Sequence, residues 1–215
     1  MIEAVIFDMD GTLINSQPIW YQASTEFFQQ NQFPVTLAEM MTLTGSPVGT
    51  LVDYVLQKYG EKEKSRTQLI EELMAYVVGK VLEAKPLMPN VKDVLSTLKQ
   101  WGIKIAVASA SPRNMLQGIV DSCGIAEYFD YLASAEELEY NKPHPAVYLH
   151  AAKQLDVPTS ACFAVEDSVL GMISGKAASM KTVVIPEKSE WDDPRWALAD
   201  YKLVSMSELP MLIES

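Results

Sequence analysis

Two aspartates, Asp8 and Asp10, close the apolar run Ala4-Val-Ile-Phe7, and Gly11 follows at once. Ionised carboxylates at the end of a buried strand cost several kcal/mol unless something pairs with them. Residues i and i+2 of an extended chain project to the same side, so the two acids point together while Met9 turns toward packing. Polar groups also follow the later apolar runs: Ser109-Ala-Ser-Pro112, the stretch from Glu136 to Lys142, and Glu166-Asp167-Ser168. Acids, hydroxyls and a lysine gathered at one edge are the groups that could handle a hard cation and a phosphoryl oxygen.

The elements that must position these residues are short. Strands are expected at Ala4 to Phe7, Ile103 to Ala108, Tyr128 to Ala133, Cys162 to Val165 and Thr182 to Ile185. Helical patterns alternate with them from about Asn90 to Trp101, Pro112 to Cys123, Pro145 to Leu155 and Ser168 to Ala178. That alternation predicts an α/β fold, a doubly wound, Rossmann-like parallel sheet whose ligands bind beyond the carboxyl ends of the strands. Residues 16–84 break the rhythm, with apolar residues at helical spacing and breakers at Pro34, Gly45 to Pro47 and Gly60. They are expected to form an inserted helical cap of three or four helices after the first strand. The core is then residues 1–15 and 85–215, rejoined through the proline-stiffened Lys85-Pro-Leu-Met-Pro89.

Composition narrows the function. The 215 residues carry 28 acidic against 17 basic side chains, a net charge of -11 that disfavours nucleic acid and anionic membranes as partners. Phosphate could bind only where a cation, a lysine and backbone N–H groups reverse the field. No apolar run approaches the roughly 20 residues of a membrane span. Glu3 and Asp8 interrupt any signal-peptide core, and the 2 cysteines, Cys123 and Cys162, stand in no C-x-x-C pair. A cytoplasmic protein with reduced, buried thiols is expected, and a monomer.

Asp8-Met-Asp-Gly-Thr12, Ser109 after its apolar strand, Lys142, and Glu166-Asp167 match, in order, the four motifs of the haloacid dehalogenase superfamily. The chain resembles that family along its length, and more closely the sugar- and hexitol-phosphate phosphatases of its β-phosphoglucomutase-like branch. Leu132-Ala-Ser-Ala-Glu136, Asn141-Lys-Pro-His-Pro145 and Asp193-Pro-Arg195 carry the closer likeness.

The resemblance implies hydrolysis of a small phosphorylated sugar through an aspartyl-phosphate. Asp8 would be the nucleophile, and Asp10 would protonate the departing alkoxide and later take a proton from water. Mg2+, for which Mn2+ or Co2+ could substitute, would be held by the Asp8 carboxylate, the Asp10 backbone carbonyl and Asp167, with Glu166 assisting from outside. Lys142 would steady the nucleophile and the transferring group, while Ser109 and the Ala110 N–H bind its oxygens. Mutases of this branch carry a histidine 12 residues after the nucleophile, where this chain has Trp20, and a basic residue after the cap-loop glycine, where Gly45-Ser-Pro-Val48 has none. Water is therefore expected as acceptor, with Trp20 and Gly45 at the substrate-selecting positions.

Other readings of these residues are structural. Ser109, Ser111 and Ser168 each precede a helical pattern and could cap it; capping is expected at Ser168 and phosphate binding at Ser109. His144 is expected to brace the lysine loop. Gly171 to Lys176 is one residue short of a phosphate-cradling Walker loop, so its glycines are read as helix-packing positions. Haloacid dehalogenation shares the aspartate nucleophile but has no need of an acid at Asp10. A phospho-accepting signalling domain shares the chemistry on a much shorter chain.

Overall fold

The computed structural model describes residues 1–43 and 46–214. The chain forms two compact units, one of Met1–Asn15 with Lys85–Ser215, the other of Ser16–Ala84. In chain order the elements are β1 (Ala4–Phe7), α1 (Gln17–Gln30), α2 (Leu37–Thr42), α3 (Val48–Tyr59), α4 (Arg66–Ala84), α5 (Val91–Gln100), β2 (Lys104–Ser109) and α6 (Arg113–Ser122). There follow β3 (Tyr131–Ser134), α7 (Ala146–Leu155), β4 (Cys162–Glu166), α8 (Val169–Ala177), β5 (Lys181–Val184), β6 (Tyr201–Lys202) and α9 (Leu209–Glu214).

The first unit is built on one parallel sheet of order β3-β2-β1-β4-β5-β6, the expected doubly wound α/β fold. Its central strands are buried on both faces, which is why they read as continuous apolar runs. Along β1 and its neighbours, Ala4, Ile6, Ala106, Ala108, Ala133 and Ala164 form one face with Val147, Tyr148, Ala151 and Leu155 of α7. Alanines on the sheet side let that helix approach closely, so a side chain of α7 can reach the strand ends. Gly175 does the same for α8: a Cβ there would stand 2.8 Å from the Ala164 Cβ.

Strands β2, β4 and β5 lie within one residue of expectation, and the larger differences are at β3 and β6. The third strand begins at Tyr131 because Ala126–Tyr128 is wound into a 3-10 turn. A sixth strand, β6, is only two residues long, too short to leave a periodic signal. The segments flanking the helical unit are tied to each other inside the first unit. Leu13 O accepts from Met88 N at 2.9 Å and Pro86 O accepts from Asn15 N at 2.7 Å.

Among the described residues the second unit contains four helices. Leu69, Leu73, Val77 and Val81 make a buried stripe at four-residue spacing on α4, and Phe27, Phe28 and Phe33 pack edge to face. Glu39 closes a capping box with Thr36 at the start of α2 and accepts from the Tyr59 hydroxyl at 2.7 Å and from Lys58.

Candidate active site

Strand register brings the sequence motifs together. Phe7 is level with both Val107 and Val165, so the residues following β1 emerge beside the ends of β2 and β4. Asp8 N donates to Val165 O at 2.9 Å, which holds the nucleophile candidate against the strand that ends in Glu166. Gly11, at φ +84°, turns the chain in a conformation that disfavours any side chain. The space is also occupied: a Cβ on Gly11 would lie 1.9 Å from Asp167 Oδ2.

One lysine joins the acids. Lys142 Nζ donates to Asp8 Oδ1 at 2.5 Å, to Glu166 Oε1 at 2.6 Å and to Ala108 O at 2.9 Å. Its side chain is only 9% exposed, and Glu166 is fully buried, so these charges meet in a poorly solvated space. The lysine loop is braced from behind. Asn141 Oδ1 accepts from Lys142 N, His144 Nδ1 accepts from Ala146 N, and Ser174 Oγ donates to His144 O at 2.8 Å. His144 therefore serves the loop, as its position in the sequence suggests.

Asp8, Glu166 and Asp167 each offer a carboxylate oxygen, and the three atoms lie within 4.8 Å of one another. Burial first of all, reinforced by Glu166 and Asp10 and opposed by Lys142, pushes the Asp8 carboxyl up to about 7. Burial and the charges of Asp8 and Glu166 push Asp167 up to about 8. Burial acts to lower Lys142, but the Asp8 and Glu166 carboxylates outweigh it and hold the ammonium protonated well beyond its ordinary range. One ammonium does not neutralise the acids around it. All-oxygen donors with surplus negative charge, and no histidine or thiol among them, fit a hard divalent cation. Asp10 is outside this side-chain cluster; its expected ligand is the backbone carbonyl.

Glu166 is the most constrained of the three acids. Oε1 accepts from Lys142 and from the Tyr148 hydroxyl at 2.7 Å, and Oε2 accepts from Ser168 Oγ at 3.1 Å. Ser168 also caps α8 by accepting from Gly171 N at 3.0 Å, as expected for it. Gly171 leaves the room Glu166 occupies, since a Cβ would lie 1.9 to 2.0 Å from its carboxylate atoms. Gly171 thus permits close packing on its helix, as expected, and what it accommodates is the buried acid. With both oxygens engaged by protein donors, Glu166 is arranged to support neighbours.

The hydroxyl loop lies at the end of β2. Ser109 is buried and its Oγ accepts from Ser111 N at 3.1 Å; α6 is preceded by Pro112, so neither serine caps it. Ala110, next to Ser109, is exposed. Trp20 stands on α1 in the helical unit. Gly45 lies outside the described residues.

Two groups at the site were given no role by sequence reasoning. Tyr148 sits in the apolar stripe of α7, where spacing says core, and it is core. The signal was chemical: a fully buried phenol needs a partner, and here it is Glu166. Thr12, also buried, directs its hydroxyl to Asp167 Oδ1 at 3.4 Å.

The family model of Haloacid dehalogenase-like hydrolase matches residues 5–185. Hexitol phosphatase B of Escherichia coli strain K12 is 39% identical over 216 residues, covering 97% of this chain and 94% of that protein. Among solved structures, β-phosphoglucomutase from Clostridium difficile is 27% identical with a TM-score of 0.78, over 100% of this chain and 96% of that one. CbbY from Rhodobacter sphaeroides, in complex with phosphate, is 26% identical with a TM-score of 0.80, over 97% and 96% respectively.

Proposed function

The chain belongs to the haloacid dehalogenase-like hydrolases, and on that premise we propose that it hydrolyses small sugar or hexitol phosphates through an aspartyl-phosphate on Asp8. The observation that carries the proposal is the single ammonium of Lys142 shared between Asp8 and Glu166 within one carboxylate cluster. It holds an anionic nucleophile at a fixed place and leaves positive charge where a phosphoryl group would gain it.

In the first half-reaction an Asp8 oxygen bonds to phosphorus, and the P–O bond to the sugar breaks. Asp10 gives its proton to the departing oxygen, which leaves as an alcohol. In the second, Asp10 takes a proton from water, whose oxygen bonds to phosphorus, and the Asp8–phosphorus bond breaks to give inorganic phosphate. Ser109 and the Ala110 N–H bind phosphoryl oxygens, and Lys142 stays bonded to the nucleophile throughout. Mg2+, or Mn2+ or Co2+ in its place, would be held by Asp8, Asp167 and the Asp10 carbonyl, supplying the charge that lets two anions approach. Proton transfer contributes about 10²- to 10⁴-fold, so positioning and charge stabilisation supply most of the acceleration.

Residues 16–84 are assigned the cap role on the sequence argument, with Trp20 and Gly45 selecting the sugar. The relative named hexitol phosphatase B supports a hexitol phosphate as substrate. The likeness to a β-phosphoglucomutase keeps phosphoryl transfer between sugar hydroxyls as the rival reading, and Trp20 in place of the mutase histidine favours water. The test is phosphate release from a panel of hexose, 2-deoxyhexose and hexitol phosphates, with and without Mg2+. Release from at least one in the presence of the metal is expected; none from any overturns the proposal.

A further inference from the structure

We infer that Ser111 is a positioning residue for Asp10, fixing the carboxyl that moves the proton; the inference rests on the function just proposed. Ser111 Oγ donates to Asp10 Oδ2 at 3.1 Å across 101 residues of sequence. The backbone of Asp10 is held by the turn behind β1, where Gly11 N donates to Ile14 O at 2.8 Å and Leu13 N to Met9 O at 2.9 Å. That turn fixes the Cα, and the Ser111 hydroxyl acts on the side chain itself.

Ser111 is built to set them. Its N–H donates to Ser109 Oγ at 3.1 Å, and its C=O accepts from Ser134 Oγ at 2.8 Å. Ser134 in turn accepts from Glu136 N at 3.2 Å. Ser109 and Ser134 are register partners at the ends of β2 and β3, so the loop between β2 and α6 is pinned to two rigid strands. The hydroxyl presented to Asp10 is consequently held on both sides, as preorganisation of a reacting group requires. The residue type also fits. A hydroxyl donates to a carboxylate and can rotate to accept from a carboxylic acid, so it can stay bonded to Asp10 before and after the proton moves. A lysine or arginine there would hold Asp10 in its charged form alone.

The consequence depends on the leaving group. A sugar alkoxide needs a proton to depart, whereas p-nitrophenolate does not. kcat/KM reports steps up to the first irreversible one, so the later base role of Asp10 does not enter it. Ser111→Ala should lower kcat/KM for a hexitol phosphate about 10- to 100-fold, a part of the general-acid contribution, and change it less than about 3-fold for p-nitrophenyl phosphate. Ser111→Thr, which keeps the hydroxyl, should restore the hexitol phosphate value. Ser111→Cys, close in size with a weak S–H donor, carries the same comparison if Ser111→Ala does not fold. An equal loss on both substrates, or none on either, overturns the inference while wild-type turnover leaves the proposed function standing. A wild type inert toward both substrates removes the function and the inference with it.

Discussion

The Tyr148 hydroxyl donates to Glu166 Oε1 at 2.7 Å, the same oxygen that accepts from Lys142 at 2.6 Å. The lysine also stands 5.1 Å from the centre of the Tyr148 ring. A helix-borne phenol thus shares the charge that Lys142 divides between Glu166 and Asp8. Burial, then the Glu166 charge, pushes the phenol well above its ordinary range, so it remains a neutral donor at every working pH.

Removing that donor is predicted to act at a distance. Tyr148→Phe keeps the packing on the sheet but removes one of the two donors to Glu166 Oε1 and leaves Lys142 there. The ammonium is drawn toward Glu166 and away from Asp8. A hydrogen bond to a charged group contributes about 1.5–3 kcal/mol, so denaturant unfolding should show a loss in that range. kcat should fall about tenfold, the equivalent of ~1.4 kcal/mol. Unchanged kcat together with the stability loss would make Tyr148 purely structural.

The raised carboxyls make stability depend on pH and metal together. With Asp8 near 7 and Asp167 near 8, the folded protein binds protons between about 4 and 8 that the unfolded chain has already released. The contribution of these groups to stability therefore falls as pH rises through that window. In EDTA, wild type should lose more melting temperature between pH 5 and pH 8 than Asp167→Asn does. The excess should be at least about 2–4 °C, the shift per kcal/mol for a chain of this size. Mg2+ binds the ionised form and should remove the excess; identical profiles for the two proteins without metal would contradict the burial argument.

Much of the candidate site was legible in sequence because Asp8, Ser109 and Glu166 each close or follow an apolar run, whereas Lys142 stood out by its motif in the loop after β3. Asp8, Ser109 and Glu166 need only the parallel register to meet, and β-strand periodicity supplies it. Tyr148 and Ser111 were not legible as functional positions. A tyrosine at core spacing on α7 announces burial but not the partner of its hydroxyl, and Ser111 before a helix looks like a cap. Both are joined to the site by contacts between residues far apart in sequence, Glu166 with Tyr148 and Asp10 with Ser111. β6 failed for a simpler reason, being a two-residue strand placed by its bond partners on β5.

Water as the phosphoryl acceptor is separately measurable. In labelled water, hydrolysis through Asp8 should place a solvent oxygen in the released phosphate. When limiting enzyme makes its first turnover in labelled water, the sugar alcohol should stay unlabelled, because the bond broken is P–O. Asp8→Asn should reduce release to background, since the amide cannot form the acyl phosphate. Phosphate transferred to a second hydroxyl of the sugar, without release, would instead assign mutase chemistry despite Trp20.

Two glycine substitutions of the same chemistry should give opposite results. A Cβ on Gly171 would fall within 2.0 Å of the Glu166 carboxylate, and that acid is fully buried with both oxygens bonded. Glu166 must move, and Lys142, Tyr148 and Ser168 lose geometry with it. Gly171→Ala should lose most activity and be destabilised by a few kcal/mol, since breaking a buried ion pair costs about 3–5 kcal/mol. Gly79 lies within α4, and among the described residues beyond its own helix backbone nothing comes inside 4 Å of the same added atom. Gly79→Ala removes backbone freedom from the unfolded chain and should stabilise by about 0.4–1 kcal/mol. Paired unfolding curves and phosphate-release rates read both outcomes. Equal behaviour of the two variants would show that α8 yields enough to accommodate the methyl group, and that Glu166 is not held as tightly as its bonds indicate.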